Sequence, residues 1–438
     1  MLTPPRRAHQ IGPVEDALAQ TYHRSLALRW LATVLAMPVL VPLLLARGLE
    51  LTQLGLIMAT FAAVTAALEV PTGGFADAFG RVRMTLVADA LALVSRLAFM
   101  LAPDLTGLLV AAVLGGVARA LGSGSLEAWY VDARRVRTPD EDLVGSLARA
   151  GVVQSLALAL GALVGGALPL AAPLLGLGEA GSVRALQLAF AVSIAIGAVS
   201  LLVIARLPEA RTSSPAKRRS ARPDLVARVA VRALCDEPGL RALVLVGAAL
   251  GGVVMSFEAF YPAELRARWD GAGVSTVLGV IMAGGFGATA LGQGWSARRA
   301  TRARSPLLPA IQGSALMAVG TALLALTSAA PSAGLVVAAV AAWSTYLGLG
   351  YGAPSLAAAF HARVDGADRA TLLSVRSLAG YLGGVVASLA FGSVASAFGL
   401  ALVWAAVASI AAAVTMGLLL WNPAPAAALA PLGAKQVG

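Results

Sequence analysis

The sequence predicts an all-α polytopic membrane protein, with twelve transmembrane helices in two pseudo-symmetric bundles of six. Three observations predict it. Hydrophobic residues make up 58% of the 438-residue chain and charged residues only 13%, where a soluble domain carries about 25% charge. Apolar stretches near the ~20 residues that a spanning helix needs recur twelve times. One long polar stretch, rich in Pro, Ser and Arg, separates the sixth from the seventh.

The spans fall at 25–47, 54–73, 84–103, 106–131, 151–173 and 184–206, then at 241–262, 275–296, 306–328, 334–360, 372–396 and 399–421. This divides the chain into a tail (1–24), a first bundle (25–206), a basic linker (207–240), a second bundle (241–421) and a second tail (422–438). The first tail holds no short apolar core followed by a small-residue cleavage site, so it reads as a cytoplasmic tail and not a signal peptide. Connections are short, so neighbouring spans are antiparallel.

The arginines orient the chain. With the N-terminus inside, the inner loops hold Arg81, Arg83, Arg134, Arg135, Arg137 and further clusters, whereas the outer loops hold Arg47, Arg184, Arg266 and Arg268. This asymmetry predicts the plasma membrane with both termini cytoplasmic. The net charge of +11 sits in short loops and not on one helix face, so nucleic acid is not an expected partner. A single cysteine, Cys235, excludes an intrachain disulfide framework, and three histidines make a metal site unexpected. There is no G-x-x-x-x-G-K-[ST] phosphate loop. No cofactor is expected, and the chain does not read as an enzyme. Richness in Ala, Gly and Arg with two lysines points to a high-GC bacterium.

The halves look related. "GSGSLEAWYVDAR" in the fourth span aligns with "GAPSLAAAFHAR" in the tenth, and "TGGFADAFGRVR" after the second has a worn counterpart, "LGQGWSARRATR", after the eighth. Two repeats of the same membrane orientation suit a transporter built from parallel halves.

The loop 73–83 carries charges and glycines between apolar spans. Gly73 permits close helix approach, Asp77 lies just past the expected helix end, and Gly80 permits the turn. Arg81 and Arg83 anchor it at the headgroups. "GGFADAFGRVR" resembles the signature loop G-x-x-x-D-x-x-G-R-x-R of the major facilitator superfamily, with Gly73, Asp77, Gly80, Arg81 and Arg83 all matching. The resemblance covers essentially the whole chain. It implies the superfamily's fold, a midplane site lined by spans one, four, seven and ten, and alternating access. It also implies a gating relay of Asp77, Arg81 and Asp132 that locks the inner side closed.

Charges at bilayer depth are functional-site hypotheses by default. Arg119 and Glu127 on the fourth span are eight residues apart and able to face one cavity. The sharp reading makes Glu127 a proton or cation site biased by Arg119; the bland one is a static ion pair. Glu258 stands alone on the seventh span, and Glu69 lies near the inner end of the second. Phe257, Tyr261, Trp343 and Tyr346 are candidate cavity aromatics, or helix packing. Asp89 and Arg96 read as a structural pair or as partners of a neighbouring helix, while Arg29 and Arg376 read as snorkelling to the inner surface.

The resulting expectation is a monomeric secondary active transporter in the lipid bilayer. It exports small amphipathic compounds against protons, and an excess of cavity acids favours neutral or cationic cargo. The alternatives are proton-coupled uptake of a small metabolite, favoured by a hydrogen-bonding cavity, and a non-transporting receptor or scaffold.

Overall fold

The computed structural model describes residues 13–137, 144–209, 232, 234–269, 273–300, 307–329, 334–364 and 369–421. Regular structure among them is wholly helical, and twelve helical stretches are long and apolar enough to cross a membrane. In the first bundle, α1 (Pro13–Leu35) and α2 (Met37–Ala46) share the first span, and α3 (Leu51–Phe79) and α4 (Arg81–Leu101) form the next two. The fourth span is α5 (Leu105–Gly122) with α6 (Ser125–Arg137), followed by α7 (Val144–Ala167) and α8 (Val183–Ile204). The second bundle is α9 (Pro238–Arg268), α10 (Val274–Ala300), α11 (Leu308–Ala329), α12 (Leu335–His361), α13 (Arg369–Phe398) and α14 (Leu400–Leu420).

Three details differ from the sequence expectation. α1 begins at Pro13, inside the stretch expected to be a tail. The first and fourth spans are broken. Pro38 removes the N–H that would continue α1 into α2, and Gly124, at φ +68°, takes a conformation rare for other residues between α5 and α6. Finally, α3 runs to Phe79, so the backbone at Asp77 is helical and the turn falls on Gly80. The side chains of residues 70–78, Gly73 and Asp77 included, lie outside the described set.

Two helix pairs, α3 with α13 and α7 with α10, join the bundles. Both crossings rely on small residues. A Cβ on Gly166 would lie 2.4 Å from the Ser275 carbonyl, and one on Gly55 2.3 Å from that of Ser388. Such contacts replace the hydrophobic drive that is lacking between helices in lipid.

The start of α1, the end of α8 and the start of α9 share one end of the molecule, called here the linker end. At the far end the bundles are tied by polar bonds. Thr52 Oγ1 and Ser396 Oγ lie 2.8 Å apart, Thr276 Oγ1 donates to the Gly166 carbonyl at 3.0 Å, and Arg266 donates to the Pro42 carbonyl at 2.7 Å. The far-end half of the first span, α2, packs on α9 and α10, whereas α1 and α6 pack chiefly within the first bundle. The halves meet at the far end and part toward the linker end.

Candidate transport site

Two adjoining chambers of about 600 and 700 Å³ open toward the linker end. Trp30, Thr33, Met37, Phe61 and Arg119 form their shared wall. The first chamber lies inside the first bundle and reaches Arg96 on α4, Gln154 on α7 and Phe190 on α8. The second lies between the bundles and reaches Glu258 on α9, Ser314 on α11 and Arg376 on α13. Both extend to the linker end, past Leu147 and Glu127 in the first and Leu356 and Leu373 in the second.

Arg119 is the hub. Its Nε donates to the Tyr381 hydroxyl at 3.3 Å, and its guanidinium lies 5.8 Å from the Trp30 ring centre. Glu69 and Glu258, from opposite bundles, both act on it electrostatically. Glu69 Oε1 also accepts from Ser377 Oγ at 3.1 Å. Ser377 and Tyr381 are four residues apart on α13 and so share one helix face. One face of α13 therefore holds both Glu69 and Arg119 of the first bundle. Neither residue was singled out from the sequence, because an uncharged Ser or Tyr in a span carries no depth penalty to notice.

Glu127 sits apart from this hub. It is exposed in the first turn of α6, at the linker-end mouth of the first chamber, where it acts on Tyr22 of α1. Arg119 and Glu127 do share a chamber wall, but they stand on two helices, on either side of the break at Gly124.

The four aromatics expected on the cavity wall are not among its lining residues. Phe257 is buried, stacked on Tyr261 at 4.6 Å and edge-on to Tyr346 at 5.4 Å. Tyr261 donates to the Ala338 carbonyl at 2.9 Å. Trp343 is 38% exposed and donates to the Ile281 carbonyl at 3.0 Å. These rings pack helices together inside the second bundle, with Tyr346 near enough to Glu258 to feel its charge. Of the rings that do line the chambers, Trp30, Phe61 and Tyr381 come from spans one, two and eleven, and Phe99 and Phe190 from spans three and six.

Nor does acid outnumber base on the wall. Arg29, Arg96, Arg119 and Arg376 face Asp89, Glu127 and Glu258. The expectation failed because the first chamber opens onto α4, which is outside the four spans expected to line the site, and because Arg29 and Arg376 do not simply snorkel. Arg29 Nε pairs with Asp89 at 2.7 Å, and its Nη1 donates to the Gly122 carbonyl at 3.3 Å. A Cβ on Gly122 would stand 2.2 Å from Arg29 Nη2. Arg376 lies 5.7 Å from the Phe360 ring centre. Asp89 thus pairs with a neighbouring helix, and Arg96 donates to Thr33 Oγ1 at 3.2 Å.

At the linker end, Arg81 bridges to Asp132 at 3.0 Å, joining α4 to α6. The bridge stands within one bundle while the bundles are parted. Arg83 is exposed in the first turn of α4. A residue missed by sequence reasoning completes this corner. Glu209, just beyond α8, accepts from the Val82 and Arg83 N–H groups at 3.1 and 3.2 Å. It caps α4, whose N-terminus attracts a carboxylate. Gly80, at φ +98°, leaves the room that Glu209 fills. Trp129 Nε1 fastens the same segment through the Pro208 carbonyl at 2.8 Å. The available signal was an isolated Pro-Glu at the end of an apolar run. In the second bundle Arg363 bridges Glu237 at 3.4 Å; burial raises the Glu237 carboxyl above its ordinary range, against the pull of Arg363.

Residues 25–353 match the profile of the Major Facilitator Superfamily, and the chain belongs to that family. No curated protein matches the sequence. Among solved structures, the chain is similar to the nucleoside transporter NupG, at 13% identity and TM-score 0.71, over 92% of this chain and 100% of that one. It is similar to a D-xylose–proton symporter at 13% identity and TM-score 0.71, over 92% and 98%. A bacterial homologue of the human lysosomal transporter Spinster, inward-facing and unoccupied, is 20% identical with TM-score 0.65, over 94% and 99%. At these identities the likeness shows the fold. Fold, spans and family define a membrane transporter and not an enzyme.

Proposed function

We propose that the chain takes up a small polar molecule together with protons, by alternating access, and that the linker end faces the cytoplasm. The observation that carries the proton coupling is Arg119 between Glu69 and Glu258. One guanidinium cannot neutralise two carboxylates at membrane depth, so a proton on one of them removes the excess charge. The acids belong to different bundles, and α13 grips Glu69 and Arg119 together. Protonation therefore acts where the halves must separate. Glu127, at the open mouth, is the proposed point of proton release to the cytoplasmic side.

The wall chemistry supports uptake over export of amphipathic compounds. It presents arginines, Thr33, Gln154 and Ser314, while the expected aromatic wall is packed elsewhere. Export by proton antiport is the second reading, favoured by Trp30 and Phe61 on the shared wall.

The test uses right-side-out membrane vesicles with an imposed inward proton gradient and a panel of radiolabelled sugars, nucleosides and organic acids. Gradient-driven accumulation of a solute, lost in Glu258→Gln and Glu69→Gln at equal protein level, is expected. Gradient-driven extrusion of a lipophilic cation instead would transfer the assignment to export.

A further inference from the structure

The first chamber is a pocket inside one bundle, in addition to the space between the bundles. Its charges are not balanced locally. Arg29, Arg96 and Arg119 line it with Asp89 and Glu127. Asp89 accepts from Arg29 through Oδ1 and also acts electrostatically on Arg96, so one carboxylate stands between two guanidiniums; Glu127 lies out at the mouth, and Arg119 is turned to Tyr381 across the bundle boundary. Arg96 is left with a neutral hydroxyl, Thr33, as the hydrogen-bond partner found among the described residues. A guanidinium offers five donors, and holding it at bilayer depth is costly unless something pairs with it.

The surroundings match that surplus. Gln154 projects from α7 into the same chamber, and Phe61, Phe99 and Phe190 supply an apolar wall. Gly197 on α8 keeps Arg96 in place from behind, since a Cβ there would lie 2.9 Å from its Nη1. A guanidinium held by its Thr33 bond, with an amide and aromatic rings lining the same chamber, is complementary to a planar carboxylate on an apolar body.

We propose that this chamber binds the anionic group of a small organic acid, with Arg96, oriented by its bond to Thr33, as its guanidinium partner, Gln154 as a flanking hydrogen-bond donor, and the phenylalanines around its apolar part. The proposal deepens the transporter reading by naming the chemical class of cargo, and it rests on that reading for its physiological meaning.

Isothermal titration calorimetry on the purified full-length protein tests it with three matched probes: 2-naphthylacetate, the neutral 2-naphthylacetamide and the cationic 2-naphthylethylamine. The acid is expected to bind at least tenfold more tightly than the amide, and the amine most weakly. Arg96→Gln is expected to bring acid and amide to the same affinity while amide binding stays as in the wild type, which also certifies the fold. Arg96→Lys, which keeps the charge, is expected to retain part of the preference, and the wild-type comparison stands even where a variant is unstable. Equal binding of acid and amide to the wild type, no binding of the acid, or an acid preference untouched by Arg96→Gln would each overturn the proposal. Calorimetry needs no proton gradient. A protein that prefers the acid but moves no solute would overturn the proposed function and leave the site, and one that transports without acid preference would do the reverse.

Discussion

Gly80→Ala is the substitution whose cost can be worked most directly. Gly80 stands at φ +98°, ψ 143°, a region that strains residues with a Cβ by about 1–3 kcal/mol. The added Cβ would also lie 2.7 Å from Glu209 Cδ and 2.9 Å from both carboxylate oxygens. Glu209 must therefore leave the two N–H groups it accepts from. Losing an exposed helix cap of this kind costs about 0.5–2 kcal/mol. Together the change should lower stability by about 1.5–5 kcal/mol. The measurement is an SDS titration of protein in dodecylmaltoside micelles, read by tryptophan emission. Glu209→Ala alone should cost the capping part, and in the double variant that part should not be counted twice, because Gly80→Ala has already expelled the carboxylate. Strict additivity of the two losses, or a Gly80→Ala protein as stable as wild type, would refute the clasp.

Three further outcomes follow from the same geometry. Gly122→Ala places a Cβ 2.2 Å from Arg29 Nη2, so it should break the Arg29–Asp89 pair and cost about 3 kcal/mol in the same titration; Arg29→Met with Asp89→Leu should recover part of that loss. Glu264→Gln weakens the buried partner that Arg268 holds at 2.6 Å and Trp404 at 3.0 Å, so unfolding should become easier by about 3–5 kcal/mol, and a loss below 1 kcal/mol would mean that water reaches the pair. Gly55→Leu drives a side chain into the Ser388 carbonyl and should widen the far end. In a Cys235→Ser background, electron–electron distance measurements between spin labels at the exposed Glu179 and Trp269 should show a longer population, and an unchanged distribution would count against that crossing as the closed gate.

The spans were legible because a bilayer demands long apolar helices and leaves few alternatives. The loop at Gly80 and Arg81 was legible because its charges interrupt two such runs, and the Arg81–Asp132 bridge followed from the family pattern. What could not be read was mostly which helix a side chain would meet. Asp89 and Arg96 lie on one face of one helix, yet Asp89 takes its partner sixty residues away on α1. Phe257 and Tyr261 have the spacing of a shared face, but spacing does not say whether that face meets a cavity or another ring. The break at Gly124 was invisible for a related reason. Glycine in a span signals close packing as readily as a turn, and only the coordinates give it a positive φ. Glu209 was overlooked because it stands beyond the last apolar residue, where a charge costs little and attracts no attention.

On the proposed reading, the charge of the cargo and the direction of coupling are one question. Arg119 stands on the wall between the chambers, so an anion in the first competes for it with Glu69 and Glu258, which both act on it. An organic acid seated beside it weakens its hold on the carboxylates and so favours their protonation. By reciprocity, protons on Glu69 or Glu258 free Arg119 and tighten the acid. Ligands that reinforce each other are carried together, which is symport and, with an inward gradient, uptake. A cationic cargo would compete with the proton for the same two carboxylates, and competition produces exchange. The Ser377 and Tyr381 contacts on α13 give either scheme its mechanical link, because neutralising Glu69 or redirecting Arg119 loosens the grip between the bundles where they must rock apart.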